Sequence, residues 1–229
     1  MNNTPKVELT QYGEEYVPEG KEHPIVLKFI KDAIPKEVIK IMDIEFTMMR
    51  DCMKTLGMQE GFNDVTVPDS FSWYSPLCFE ALGTYIKPLM EKEVDAELHQ
   101  TYSYARIYMN GSELTRHTDR RSSQLSASCC IRKEDGYYWP LCFKTKEGVK
   151  EFDMEPGDLV ISSGTKIPHW REKYHGTEHV QAFLQYVYAD GKYQNLKYDT
   201  RPCLAASYDY TQGFIKDEVE RRKAHPVVR

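Results

Sequence analysis

A chain of 229 residues is long enough for one ordinary domain with a sizeable core, because at this size folding buries roughly 70% of the surface the unfolded chain exposes. Hydrophobic residues at 41% and aromatics at 12%, with 16 tyrosines, exclude a disordered or fibrous chain, and a net charge of −5 excludes a general electrostatic affinity for nucleic acid. No stretch approaches the roughly 18 apolar residues of a membrane helix, and the polar opening lacks the apolar run of a signal peptide, so a cytoplasmic protein with no membrane partner is expected.

Along the chain, Pro35 stands at a plausible first helical position. Val38, Ile41, Met42, Met49, Cys52, Met53 and Leu56 then recur mostly at three- and four-residue intervals before Gly57, the pattern of an amphipathic helix closed by glycine. A second helix is expected to open at Ser75-Pro76 and to carry Leu82, Ile86 and Leu89 inward, with Pro88 as a kink. The first half therefore reads as helical. From about Tyr102 the period changes to two, with Tyr104, Arg106 and Tyr108 on one strand face and Ala105 and Ile107 on the other. Further strands are expected at about 124–131, 137–144, 158–162 and 179–188, divided by turns at Asn110-Gly111, Asp135-Gly136, Pro156-Gly157-Asp158 and His175-Gly176. Beyond Tyr188 the pattern weakens, and Ile215–Ala224 reads as a short charged helix.

This order, helical support at about 30–95, a β core at about 100–190 and a tail at 191–229, predicts one α+β domain built on a sandwich or barrel. The cysteines Cys52, Cys78, Cys129, Cys130, Cys142 and Cys203 include no C-x-x-C pair and read as reduced, mostly buried thiols. Cys129 and Cys130 should face opposite sides of one strand.

The chemistry is concentrated in His117-Thr118-Asp119 and Pro168-His169-Trp170. Residues two apart at a strand end project from the same face, so an imidazole and a carboxylate can converge on one ion, with the third ligand supplied by a neighbouring strand. Two histidines and one carboxylate leave about three sites of an octahedral Fe(II) open for an oxoacid and dioxygen. His-x-Asp alone is weak evidence, since a chain with 7 histidines shows roughly 0.4 such tripeptides by chance. Taken alone, His117 and Asp119 fit a surface pair better than a metal site, and His169 a core or loop histidine. His175 is the rival third ligand.

The context is more specific. Arg106–Arg120, with its Tyr, turn Gly and His-x-Asp in order, resembles the entry to the metal site of prolyl-4-hydroxylase-like 2-oxoglutarate oxygenases. Pro156–Gly164, Pro168–Arg171 and His179–Val187 are similar to that family's strand, distal-histidine loop and oxoacid-anchoring strand. The resemblance covers about residues 100–190 and implies a double-stranded β-helix (jelly-roll) core with Fe(II) held by His117, Asp119 and His169. It implies 2-oxoglutarate and O2 as cosubstrates, and hydroxylation of a C–H bond with release of succinate and CO2. A carboxylate at Asp119 fills the site that related halogenases leave to chloride.

The family's anchor for the remote carboxylate of 2-oxoglutarate, a Lys or Arg about ten residues after the distal histidine, is matched by His179, with Tyr108 in place of the usual hydroxyl donor. Arg106, Arg121 and Arg171 are other candidate cations, and Trp139 and Trp170 are candidate substrate walls or simply core. The expected substrate is a protein side chain such as proline, or a free amino acid. Alternatives are a nucleobase or small metabolite on the same iron core, or a cupin-like metal-binding module without catalysis.

Overall fold

A computed structural model describes residues 20–64 and 66–206, together with the backbone of two strands near the N-terminus. The expected helix at Ile215–Ala224 lies outside the described residues. In chain order the elements are β1 (Val7–Thr10), β2 (Gly13–Tyr16), β3 (Leu27–Ile30), α1 (Lys36–Thr55), β4 (Phe62–Asp64), β5 (Val67–Tyr74) and α2 (Leu77–Val94). There follow β6 (Leu98–Met109), β7 (Leu114–His117), β8 (Leu125–Arg132), β9 (Leu141–Thr145), β10 (Gly148–Phe152), β11 (Leu159–Ser162), β12 (His169–Arg171) and β13 (Glu178–Tyr188).

Apart from the β1–β2 hairpin, the strands form two antiparallel sheets. The larger has the order β3-β11-β8-β13-β6-β5-β4 and the smaller β10-β9-β12-β7. From β6 onward the chain changes sheet at almost every step, β6 large, β7 small, β8 large, β9 and β10 small, β11 large, β12 small, β13 large. That alternation is the winding of a jelly-roll, in which two sheets enclose one interior. Among the described residues, no helix is long and apolar enough to cross a membrane.

The large sheet is buried on both faces, and its period of two sorts side chains between two different environments. One face carries Ala105, Ile107, Ala127, Cys129, Val180, Ala182, Leu184 and Tyr186 into an apolar core with Phe79, Leu82, Ile86 and Met90 of α2. The other carries Cys130 and Val160 towards Leu141 and Phe143 of the small sheet, so Cys129 and Cys130 do face opposite ways. Cys142 is also buried, but Cys52 and Cys203 are exposed, against the expectation of mostly buried thiols.

Three expectations from the sequence are corrected. The first half is not purely helical: β4 and β5 lie between the helices and extend the large sheet beyond β6. Their run from Phe62 to Tyr74 contains Pro68, Asp69 and two serines, which hide a strand from propensity alone, and pairing with β6 supplies the missing stabilisation. The buried face of α1 is also rotated from the expected one. Ile39 and Phe46 are buried, with Met42, Met49 and Met53 partly so, whereas Ile41 and Leu56 are 61% and 66% exposed. Two apolar stripes compete on this helix, and tertiary packing selects the one bearing the aromatic ring. Finally, the strand expected at 137–144 begins only at Leu141, after Pro140, which has no N–H to give a ladder.

Both helix-initiating prolines, Pro35 and Pro76, occupy the cap just before the first helical residue, and α2 continues through Pro88. Gly57, at φ +67°, closes α1 in the left-handed conformation glycine adopts without penalty.

Phe46 is fully buried, with ring centroids 5.4 Å from both Phe71 of β5 and Phe79 of α2. Phe46→Ala leaves a cavity where both helices meet the sheet, and we expect a loss of about 3–5 kcal/mol in urea-unfolding stability.

Candidate metal centre

The narrow pairing of β12 with β7 sets His169 directly opposite His117. Asp119 follows two residues after the end of β7, where its N–H donates to the Gly164 carbonyl at 2.9 Å. The result is a convergence of donors. The Nε2 atoms of His117 and His169 each lie 3.6 Å from the same Asp119 oxygen, and the three donor atoms all fall within 4.8 Å of one another. Two donors each bonded at about 2.1 Å to one ion can stand at most about 4.2 Å apart, so both 3.6 Å separations suit a shared metal.

Both imidazoles are oriented for this by the backbone. His117 Nδ1 bonds to the Thr115 carbonyl at 2.8 Å and His169 Nδ1 to the Ile167 carbonyl at 3.0 Å. A carbonyl can only accept, so Nδ1 carries the proton and Nε2 presents its lone pair to the site. Phe143 stacks on His169 with centroids 5.6 Å apart. Gly164 is required by space alone: a Cβ there would meet Asp119 Oδ2 at 2.2 Å and the Ser123 carbonyl at 2.6 Å.

The two histidines differ in electrostatic setting. Burial opposes charge on His117, but the neighbouring Asp119 carboxylate and the Thr115 carbonyl together outweigh it and raise its pKa. In His169 burial dominates and lowers the pKa, with Asp119 only partly offsetting it. The donor set fits a divalent transition metal of the N/O-preferring kind, with one face of the coordination sphere left to the cavity.

That cavity, about 450 Å³, is lined by the triad with Asp64, Thr66, Tyr102, Tyr104, Arg106, Leu114, Thr115, Thr118, Arg120, Ser126, Phe183 and Gln185. Arg106 donates to Asp64 at 2.8 Å and to Thr66 at 3.2 Å, and approaches the Tyr108 hydroxyl at 3.5 Å. Burial alone would raise the Asp64 pKa, but hydrogen bonds from Thr66 and Tyr104 together with the Arg106 charge hold it well below the usual carboxylate range. Arg120, next to Asp119 in sequence, is held bidentately by Asp199 at 2.8 and 2.6 Å and lies 4.2 Å over the Tyr102 ring. Arg201, a little further along, is buried with Glu80 of α2. The tail as far as residue 206 is thus packed against the core around the site.

Of the residues singled out in the sequence, the structure brings together His117, Asp119 and His169. Tyr108 and His179 lie in a neighbouring buried cluster with Trp139 and Tyr174 and do not line the cavity. Burial, then the nearby Arg171 charge, keep the His179 pKa well below the ordinary value, and its Nε2 pairs with Gln181 at 3.0 Å. Arg171 is also buried there, bonded to the Trp139 carbonyl and to Gln181 and stacked 4.3 Å over Trp139. Trp139 and Trp170 line no part of the cavity. His175 sits in the turn before β13, its N–H donating to Tyr137 and its carbonyl accepting from Asn110, and it is not among the converging donors. Asp64, Tyr104 and Gln185 were not anticipated. Gln185 had a signal: polar His179, Gln181 and Gln185 share one face of a strand whose other face is Val180, Ala182, Leu184 and Tyr186.

No protein-family model and no curated protein matches the chain by sequence. Solved structures do match by fold. A prolyl-4-hydroxylase from Pseudomonas putida superposes with a TM-score of 0.54 at 13% identity, covering 70% of this chain and 91% of that one. HygX from Streptomyces hygroscopicus, with nickel and 2-oxoglutarate bound, gives 0.54 at 10% identity over 70% and 82%. SnoN, a non-haem α-ketoglutarate-dependent epimerase from nogalamycin biosynthesis, gives 0.55 at 9% over 71% and 76%. The chain therefore has the jelly-roll fold of the 2-oxoglutarate-dependent oxygenases that its sequence motifs resemble.

Gly164→Ala should push Asp119 out of the site and lower Fe(II) affinity by about 10- to 100-fold in anaerobic titration, with an unchanged far-ultraviolet circular dichroism spectrum. Because a proton on His117 competes with the metal and its pKa is raised, affinity should fall with decreasing pH, starting above the ordinary histidine value.

Proposed function

We propose that this protein is an Fe(II)- and 2-oxoglutarate-dependent dioxygenase that hydroxylates a C–H bond, with succinate and CO2 as coproducts. One observation carries the reading: His117, Asp119 and His169 converge with both imidazoles locked to present Nε2, at the wall of a cavity large enough for small molecules. His117, Asp119 and His169 would hold the iron, which would supply the redox chemistry of the reaction. The fold shared with HygX, which binds nickel and 2-oxoglutarate, supports the same cofactor pair.

The chain's own residues do the positioning. The remote carboxylate of the oxoacid needs a cation, since burying it unpaired is prohibitive. A neutral His179 outside the cavity is a poor candidate. Arg106 lines the cavity with the triad and is 5% exposed. Arg106 is therefore the anchor in this reading. Asp119 occupies the coordination position a halide would otherwise take, which favours hydroxylation.

Fold does not select the substrate, as the neighbours' names illustrate: prolyl hydroxylases, an epimerase, and HygX with hygromycin B. A prolyl or other protein side chain and a free small molecule demand different walls of this cavity.

The direct test is anaerobic addition of Fe(II) and 2-oxoglutarate, which should produce a weak visible charge-transfer band that is lost in His117→Ala and His169→Ala. Iron binding without the band would refute the oxoacid as cosubstrate. In the same assay Arg106→Gln should weaken 2-oxoglutarate binding about 10- to 100-fold, whereas His179→Gln should change it by no more than about twofold. The reverse pattern would return the anchor to His179.

A further inference from the structure

The apolar stripe of α1 that the core does not use runs along the outer side of the helix. Ile41, Ile44, Met48 and Cys52, with Leu56 just beyond the helix, follow at intervals of three and four residues and so project from one face. Ile44 and Met48 are 50% and 65% exposed, and with Met49 and Met53 they line a shallow groove of about 510 Å³. The start of α2 adjoins it, since the Cys78 thiol donates to Glu45 at 2.7 Å, and Leu77 there is also exposed. Single exposed apolar residues are ordinary, but a contiguous row over about three turns marks an interaction surface. The helix packs on the side of the large sheet that faces away from the metal centre, so this surface is separate from the cavity.

The charges beside the stripe indicate what covers it. At about 100° per residue, Lys40 and Asp51 fall on the same flank of the stripe, with Glu37 and Lys54 towards the same side, and all four are exposed. Two acids and two bases cancel, so this rim offers no attraction to an anionic membrane or to a partner of one charge sign. Along the helix they run acid, base, acid, base, an order that complements itself when reversed. A two-fold axis across an antiparallel pair brings the same flank of both helices together, and residues equally far either side of the axis come level. With the axis beside Phe46, Ile44 comes level with the partner's Met48. Lys40 then falls within one residue, about 1.5 Å along the helix, of the partner's Asp51, and Glu37 falls as close to the partner's Lys54. A parallel pair would instead set each charge against its own copy. Asp51 already accepts from Arg50 through one oxygen, yet its side chain is still 59% exposed.

We propose that the protein is a homodimer in which the exposed stripes of two α1 helices pack antiparallel about a two-fold axis near Phe46, with Lys40 of each copy paired to Asp51 of the other. Burial of Ile41, Ile44 and Met48 supplies the affinity, and the rim charges fix direction and register.

The test is sedimentation velocity on the full-length protein at micromolar concentrations, where a dimer is expected. Met48→Glu, at an exposed position that leaves the core intact, should weaken association by about 100-fold or more. Lys40→Asp and Asp51→Lys should each weaken it by about tenfold, and the double variant should return to within about threefold of wild type. The two residues lie about three turns apart on their own helix, out of each other's reach, so the rescue can come only from across the interface. Far-ultraviolet circular dichroism should be unchanged throughout. A dimer unaffected by Met48→Glu, or charge variants that their combination does not rescue, would overturn the proposal. So would a monomeric wild type, in which a Cys52 shielded from thiol reagents would assign the face to another segment of this chain and a reactive Cys52 to a different protein.

Discussion

The pairing of β12 with β7 is the constraint on which the site depends. It is a short contact, His169 opposite His117 with an irregular step before Arg171 meets Leu114, yet it unites residues fifty-two positions apart in the chain. Backbone pairing places the two imidazoles with centroids 4.4 Å apart, and carbonyls of the same two segments turn their Nε2 atoms to a common point. A donor set built this way is ordered by the sheet itself and needs no ion to assemble it. Asp119 completes it from a loop that Gly164 leaves room for.

The second organising feature is the unequal treatment of the two faces of the large sheet. Its helix-side face is almost wholly apolar and holds α1 and α2 in place. Its inner face carries tyrosines, arginines, serines and glutamines into the space between the sheets, where burial makes every unpaired polar atom costly. Most are satisfied: Asp64 stabilises Arg106, Asp199 stabilises Arg120, and Gln181 accepts from Arg171. Among the described residues the exceptions include Arg106 Nε and Gln185 Oε1, which are buried without a partner.

Ion pairs from distant segments brace this interior. Asp64 comes from β4, Asp199 and Arg201 from the stretch after β13, and each contacts a residue on β6, β7's following loop or α2. Asp64 lines the cavity itself, whereas Asp199 acts from behind through Arg120.

Much of the chemistry was legible in the residues themselves. His117-x-Asp119, Pro168-His169 and the alternation from Tyr102 onward point to the side chains that converge and to the start of the β core, because two-residue spacing and strand period are local properties of the chain. The inner face of β13 was legible in the same way. The face of α1 was not, since two apolar stripes on one helix are equivalent until a sheet is laid against one of them. Nor was β5, whose residues become a strand only by pairing with β6. The candidate cations illustrate the limit most clearly: position relative to His169 points to His179, but burial and the nearby Arg171 charge hold that imidazole's pKa well below the ordinary value, while Arg106 lines the cavity. Local spacing determined which groups can bind a metal; long-range strand pairing and desolvation, which no local pattern encodes, decided which charges meet there and what the cavity asks of its ligands.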